Sequence, residues 1–178
     1  VSTTMTGPDG LGSSSREQTA LPVALAAVFH GEDILLIRRE REPFAGMWGL
    51  PGGKIRRGEH LDDAARRELR EESGIESRFL KYCGAVTERV EEDGRLRAHY
   101  LLHVCRLAAE TRRLASSAEG EMRWFCGASL DDESAQLIPS DRLMLERLVL
   151  TPGDRRFWRC VVSRFAEGYR VTEFSIGG

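Results

Sequence analysis

Residues 52–75, GGKIRRGEHLDDAARRELREESGI, constrain the chain more than any other stretch. Two glycines lead into a helical pattern from about Leu61 to Ser73, and Gly74 stands where a C′ residue ends a helix. Glu68, Glu71 and Glu72 crowd the C-terminal end, where carboxylates oppose the helix dipole. With Leu61 at zero and about 100° per residue, Ala65 falls at about +40°, Leu69 at about +80° and Ala64 at about −60°, forming an apolar stripe. Arg66, Arg70, Asp63 and Ser73 fall on the far side and are predicted to face water. Glu68 at about −20° and Glu72 at about +20° lie in the middle of the stripe, with Glu71 at about −80° on its border.

A charge run is ordinarily a solvated face. Here the arginines take the solvent side and the glutamates point inward, where clustered carboxylates repel and raise one another's pKa values. A hard divalent cation removes that conflict. Mg²⁺ accepts oxygen ligands and keeps several waters, so two or three carboxylates suffice. Arg67, beside Glu71 on the wheel, is placed to pair with a carboxylate and hold it. Gly52 and Gly53 permit close backbone approach, and a carbonyl there is a candidate further metal ligand. The stretch is not a P-loop, which would need glycine at Trp48 and serine or threonine at Ile55.

The chain as a whole is an ordinary soluble mixture, 41% hydrophobic and 30% charged over 178 residues, enough for one domain with a proper core. A net charge of −2 gives no electrostatic case for nucleic-acid or membrane partners. The longest apolar run, residues 20–29, is far too short for a membrane span, and the N-terminus has no secretory apolar segment. Residues 1–19, rich in Gly, Ser and Thr, read as a disordered tail. Cys83, Cys105, Cys126 and Cys160 are widely spaced and read as buried strand thiols in a reducing compartment, hence a cytoplasmic protein.

LPVALAAVFH and DILLIRRE, separated by Gly31-Glu32, read as paired strands. Asp93-Gly94 marks a hairpin between SRFLKYCGAVTERV and RLRAHYLLHVCRLA; EMRWF is a further strand, and PSDRLMLERLVL a helix capped at Ser140 or Asp141. Residues 20–150 form the main domain. From Thr151 a C-terminal hairpin, residues 151–178, is expected to cover a sheet edge or to take part in a homodimer contact. Strands mixed with two helices indicate an α/β or α+β domain with a mixed sheet.

Gly53, Glu59, Arg67, Glu68, Leu69, Glu71, Glu72, Gly74 and Ile75 fill every defined position of G-x5-E-x7-R-E-U-x-E-E-x-G-U, with U apolar. This is the Nudix box, and the chain resembles Nudix hydrolases over roughly residues 21–150. Its later part is most similar to bacterial ADP-ribose pyrophosphatase-type members. The resemblance implies an α/β/α sandwich and hydrolysis of a nucleoside diphosphate linked to another group, with Mg²⁺ or Mn²⁺ as cofactor. It implies Glu71 and Glu72 as principal metal ligands, Glu68 as ligand or general base, and Arg67 as the residue orienting a glutamate. Glu59 would support the loop or a second metal, and Gly53 would offer its carbonyl. Bound cations neutralise phosphate oxygens while a nearby carboxylate takes a proton from water.

Other base candidates are Glu110, Glu119 and Glu121, on or beside a long loop. Trp48, Phe44 and Tyr100 are candidates for stacking on a base, and Arg38, Arg39 and Arg41 for meeting phosphates. His99 and His103 sit on a strand, where four residues span about 13 Å, too far for one metal. The subfamily marks expected after the box for ADP-ribose, dinucleoside polyphosphate and NADH substrates are missing. ADP-ribose or a nucleotide sugar is the first substrate expectation. Cleanup of non-standard nucleoside triphosphates is the alternative. A non-catalytic nucleotide-binding regulator would be expected to have lost box glutamates.

Overall fold

The computed structural model describes residues 19–115, 120–126, 136–151 and 156–177. The expected N-terminal tail and Glu119 lie outside the described residues. Strand β1 (Leu21–His30) runs into β2 (Asp33–Arg38), then β3 (Trp48–Gly49) and β4 (Gly52–Lys54). Helix α1 (Leu61–Ser73) follows, then the long hairpin of β5 (Ser77–Glu92) and β6 (Arg95–Ala109), and β7 (Met122–Cys126). Helix α2 (Pro139–Met144) continues as a π-helical turn, Leu145–Leu150, and β8 (Trp158–Phe165) and β9 (Gly168–Ile176) end the described chain.

The strands join one mixed sheet in the order β3-β2-β1-β6-β5-β8-β9, with β4 paired to β1 and β7 to β2. The β1–β6 and β5–β8 pairs are parallel and the rest antiparallel. The apolar runs of β1 and β2 are buried on both faces. Ala24, Ala26, Val28 and Leu35 pack with Ala64, Ala65 and Leu69 of α1. Leu25, Ala27, Ile34 and Leu36 pack on the other face with Met144, Leu145 and Leu148. A helix on each face makes the α/β/α sandwich.

Helix α1 has the expected ends. Gly74 adopts φ 71° and donates its N–H to the Arg70 carbonyl, a conformation costly for residues with a Cβ. Ser73 departs from the expectation that it faces water. It is fully buried, its hydroxyl donating to Leu69 O at 2.6 Å and accepting from Ile75 N at 3.1 Å. The chain turns back over it there, with Ala115 N bonded to Ser73 O. Cys126 is exposed, contrary to its expected burial, whereas Cys83, Cys105 and Cys160 are buried.

The C-terminal hairpin covers the β5 edge. Its strand β8 pairs from Val86↔Trp158 to Glu92↔Arg164, and Trp158, Cys160 and Val162 enter the α2-side core. No helix among the described residues is long and apolar enough to cross a membrane. Leu69 anchors α1 to the sheet at zero exposure. Leu69→Ala is expected to cost about 2–5 kcal/mol of stability, read as a lower urea midpoint.

Candidate active site

Strand β4 and the first turn after it lie against the inward side of α1, and the charged residues of both meet at Arg67. Its side chain is only 10% exposed. Nε donates to Glu59 Oε1 at 2.6 Å and Nη2 to Glu59 Oε2 at 2.9 Å. Nη1 donates to Glu68 Oε1 at 2.6 Å and Glu71 Oε2 at 3.1 Å, and Nη2 also reaches the Lys54 carbonyl at 3.2 Å. A planar fork of fixed donors suits this bridging as an ammonium would not. Arg56 adds a second guanidinium, donating to both oxygens of Glu71 at 3.1 and 3.2 Å. Its backbone N–H donates to Glu59 Oε2 at 2.9 Å.

Glu72 is the buried glutamate of the helix, 4% exposed, and accepts from Gly52 N at 3.1 Å. Gly53 lies against Glu68 so closely that a Cβ there would fall 2.5–2.7 Å from the carboxyl group. Glycine at 53 therefore admits the carboxylate to the backbone. The inward placement of Glu68 and Glu72 follows the helical pattern, while Glu71 is turned outward and half-exposed. Part of the predicted repulsion is met within the chain, because Arg67 and Arg56 neutralise carboxylates. Accordingly, no three His, Cys, Asp or Glu side chains gather into a metal cage among the described residues. The hydrogen bonds from Arg67 and the Arg56 N–H hold the Glu59 carboxyl far down, at about 2. Glu59 Oε1 and Oε2 thus tie the loop to the helix.

A cavity of about 360 Å³ opens beside Gly52, Gly53 and Lys54. Arg39, Phe44, Tyr100, Glu88 and Asp141 are among its lining residues, with apolar walls from Leu25, Leu50 and Leu102. Asp141 is brought there because 136–138 runs beside β3, Trp48 N donating to Gln136 O and Ile138 N to Trp48 O. Its Oδ2 accepts from Leu50 N at 2.6 Å. Burial pushes the Glu88 carboxyl up to about 7, the Ser140 hydroxyl and Arg39 pulling down and Asp141 pushing further up. Burial likewise raises Asp141 to about 6. Glu88 Oε2 has no hydrogen-bond partner among the described residues.

Of the other expected residues, Arg39, Phe44 and Tyr100 reach this cavity. Trp48 does not. It is 6% exposed, edge to face with Phe125 at 5.0 Å and covered by Arg123 at 4.8 Å. As a β3 residue it packs in the sheet core and is unavailable for stacking on a base. Arg41 is exposed on its loop and outside the cavity lining, and Arg38 pairs loosely with exposed Glu121 at 3.8 Å. Glu110 is exposed just beyond the end of β6. Sequence reasoning missed Glu88 and Arg56 and took Asp141 only as a helix cap. For Glu88 the signal was available: Val86, Glu88 and Val90 alternate along β5, so they share one face, and all three are buried.

A NUDIX domain model matches residues 20–148. The chain belongs to the Nudix family. A candidate 8-oxo-dGTP diphosphatase 2 of Mycobacterium tuberculosis is 35% identical over 133 residues, 72% of this chain and 88% of the relative. The ADP-ribose pyrophosphatase of Methanocaldococcus jannaschii is 48% identical over 54 residues, 30% of this chain and 32% of that one. The structure of a MutT Nudix hydrolase from Burkholderia pseudomallei superposes with a TM-score of 0.61 at 29% identity, covering 74% of this chain and all of that one. As a Nudix pyrophosphohydrolase, this chain is an enzyme acting on phosphorus-containing anhydrides.

The Arg67 contacts generate a direct test. In a carboxyl ¹³C titration, Glu59 is expected to lose its proton at about pH 2. Because its folded value lies below the ordinary 4.5, the stability it contributes is present above 4.5 and lost as pH falls toward 2. Arg67→Ala should return the Glu59 midpoint toward 4.5 and flatten that acid limb.

Proposed function

We propose that this Nudix enzyme hydrolyses the diphosphate linkage of a purine nucleoside triphosphate, non-standard bases included, to a monophosphate and pyrophosphate. The observation that carries the reading is the cavity beside Gly53, where Glu88 and Asp141 are buried and one Glu88 oxygen has no partner among the described residues. Such groups await a hydrogen-bonding ligand. A purine edge supplies donors and acceptors, and Phe44 and Tyr100 supply flat apolar contact. The long match to the candidate 8-oxo-dGTP diphosphatase supports the same choice, since it spans most of both chains. ADP-ribose is the second reading, favoured by the local 48% identity to the archaeal ADP-ribose pyrophosphatase.

The donors of α1 fit Mg²⁺ or Mn²⁺ in type, being hard oxygens of inward Glu68 and Glu72 and of half-exposed Glu71, with the Gly53 carbonyl at hand. When bound, the metal supplies charge neutralisation on phosphate oxygens and an acidified water. The chain does the rest. Arg67 and Glu59 hold β4 and α1 in register, so that Glu68 stays against Gly53. Glu68 accepts the proton of the attacking water, its second oxygen being clear of the Arg67 bond to Oε1. Arg39 meets the phosphates or the sugar at the cavity mouth. Three buried free thiols suit a reducing compartment, the cytoplasm.

A nucleotide panel with Mg²⁺ tests the reading through its products. Pyrophosphate plus a monophosphate is expected; AMP plus ribose 5-phosphate from ADP-ribose, with triphosphates untouched, would favour the second reading. Excess EDTA should abolish turnover. Glu72→Gln should lower kcat about 100-fold or more, the scale at which charge stabilisation of a reacting oxygen is lost, with the melting curve retained. KM should rise as pH climbs through about 7, because Glu88 then loses the proton with which it donates to the base. Glu88→Gln, a permanent donor, should flatten that rise.

A further inference from the structure

The matched family domain ends at residue 148, and β8 and β9 lie beyond it. Covering the β5 edge requires only β8. Yet the tip of the hairpin reaches to the loop between β2 and β3, which carries Arg39 and Phe44 into the cavity. The Tyr169 ring meets Phe44 edge to face, centroids 4.7 Å apart at 61°. Its hydroxyl donates to Glu42 Oε2 at 2.8 Å. Arg164, paired with Tyr169 across the hairpin, lies over the same ring at 5.6 Å and bridges Glu42 Oε1 at 3.6 Å and Glu92 Oε1 at 3.3 Å. The hairpin therefore grips the loop on both sides of Pro43.

Phe44 needs that grip. Its φ of 74° is left-handed, uncommon for a bulky side chain and sustained only where the surroundings over-determine it. Within the loop, Gly46 N donates to Arg39 O, Met47 N to Phe44 O and Arg39 N to Met47 O. These bonds close the loop and leave the direction of the ring to packing. The ring is 5% exposed, with one side on Tyr169 and another in the cavity wall.

We propose that Tyr169 is a positioning residue for the substrate cavity: through Phe44 and Glu42, the C-terminal hairpin holds the 39–47 loop so that Phe44 forms the wall and Arg39 lines the site. This rests on reading the cavity as the nucleotide site. A hairpin that only stabilises the sheet would act equally through any of its packed aromatics. Phe174, stacked on Trp158 at 4.8 Å in the same hairpin, provides the comparison.

The experiment uses the full chain with Tyr169→Ala, Tyr169→Phe and Phe174→Ala, assayed at a temperature where circular dichroism shows all four proteins folded. Two quantities are read: KM and kcat for the triphosphate best hydrolysed by the wild type, and amide hydrogen exchange across residues 39–47 without ligand. Tyr169→Ala is expected to raise KM about tenfold with kcat within about twofold, a modest loss of positioning, and to speed exchange at Gly46 and Met47. Tyr169→Phe keeps the ring and should recover most of the KM. Phe174→Ala should lower the melting temperature and leave both readouts at their wild-type values. An unmoved KM in Tyr169→Ala, or an equal rise in Phe174→Ala, would overturn the proposal. Wild-type protein that hydrolyses no triphosphate would sink the functional reading instead. Exchange would then decide alone: faster exchange in Tyr169→Ala only would sustain the grip, and unchanged exchange would refute it.

Discussion

One guanidinium holds the site together. Arg67 is nearly buried, and a buried cation is tolerable only when carboxylates surround it. Glu59 comes from the loop, Glu68 and Glu71 from its own helix, and the Lys54 carbonyl from β4. Removing it would strip Glu59 and Glu68 of their shared guanidinium and cut the tie from α1 to the Lys54 carbonyl. The same contacts explain why Gly53 has no side chain, since the carboxylate drawn in by Arg67 occupies the place of a Cβ. A sequence motif with widely separated fixed positions thus has a single electrostatic centre.

That centre also changes the account of the glutamates. The helical wheel places Glu68 and Glu72 inward, and both are inward. The inference that only a metal relieves their repulsion was incomplete, because it counted Arg67 as an accessory and passed over Arg56 altogether. Arginines from the loop and helix relieve much of it, and Gly52 N answers Glu72. Spacing along one helix shows which carboxylates converge. It does not show which cation arrives from a neighbouring loop.

The fold was legible for related reasons. A continuous apolar run, a period-3.6 pattern ended by Gly74, and Asp93-Gly94 locate β1, α1 and the β5–β6 hairpin, because local sequence and backbone chemistry set their ends. What sequence could not give was contact between segments far apart in the chain. Trp48 looks like a stacking platform until the β2–β3–β7 neighbourhood encloses it with Phe125. Ser73 falls on the water-facing side of the wheel, and a returning loop buries it. Asp141 reads as a cap until segment 136–138 lies along β3 and delivers it to Leu50 N. Each depends on a contact distant in sequence.

The two halves of the candidate site obey different constraints. The half proposed for the phosphates is built from one continuous stretch, β4 to α1, and can therefore be written as a motif. The base half is assembled from β5, β6, the 39–47 loop and the start of α2, elements that meet only after the sheet forms. Its polar groups are buried carboxyls, whose protonation depends on how deeply the surrounding strands enclose them. Selectivity therefore belongs to the tertiary packing and is reachable from outside the family domain, since the hairpin that closes the sheet also touches the cavity wall at Phe44. On the proposed reading, a change far from the box, at Tyr169 or Arg164, then acts on the 39–47 loop and the cavity wall without altering any residue of the box.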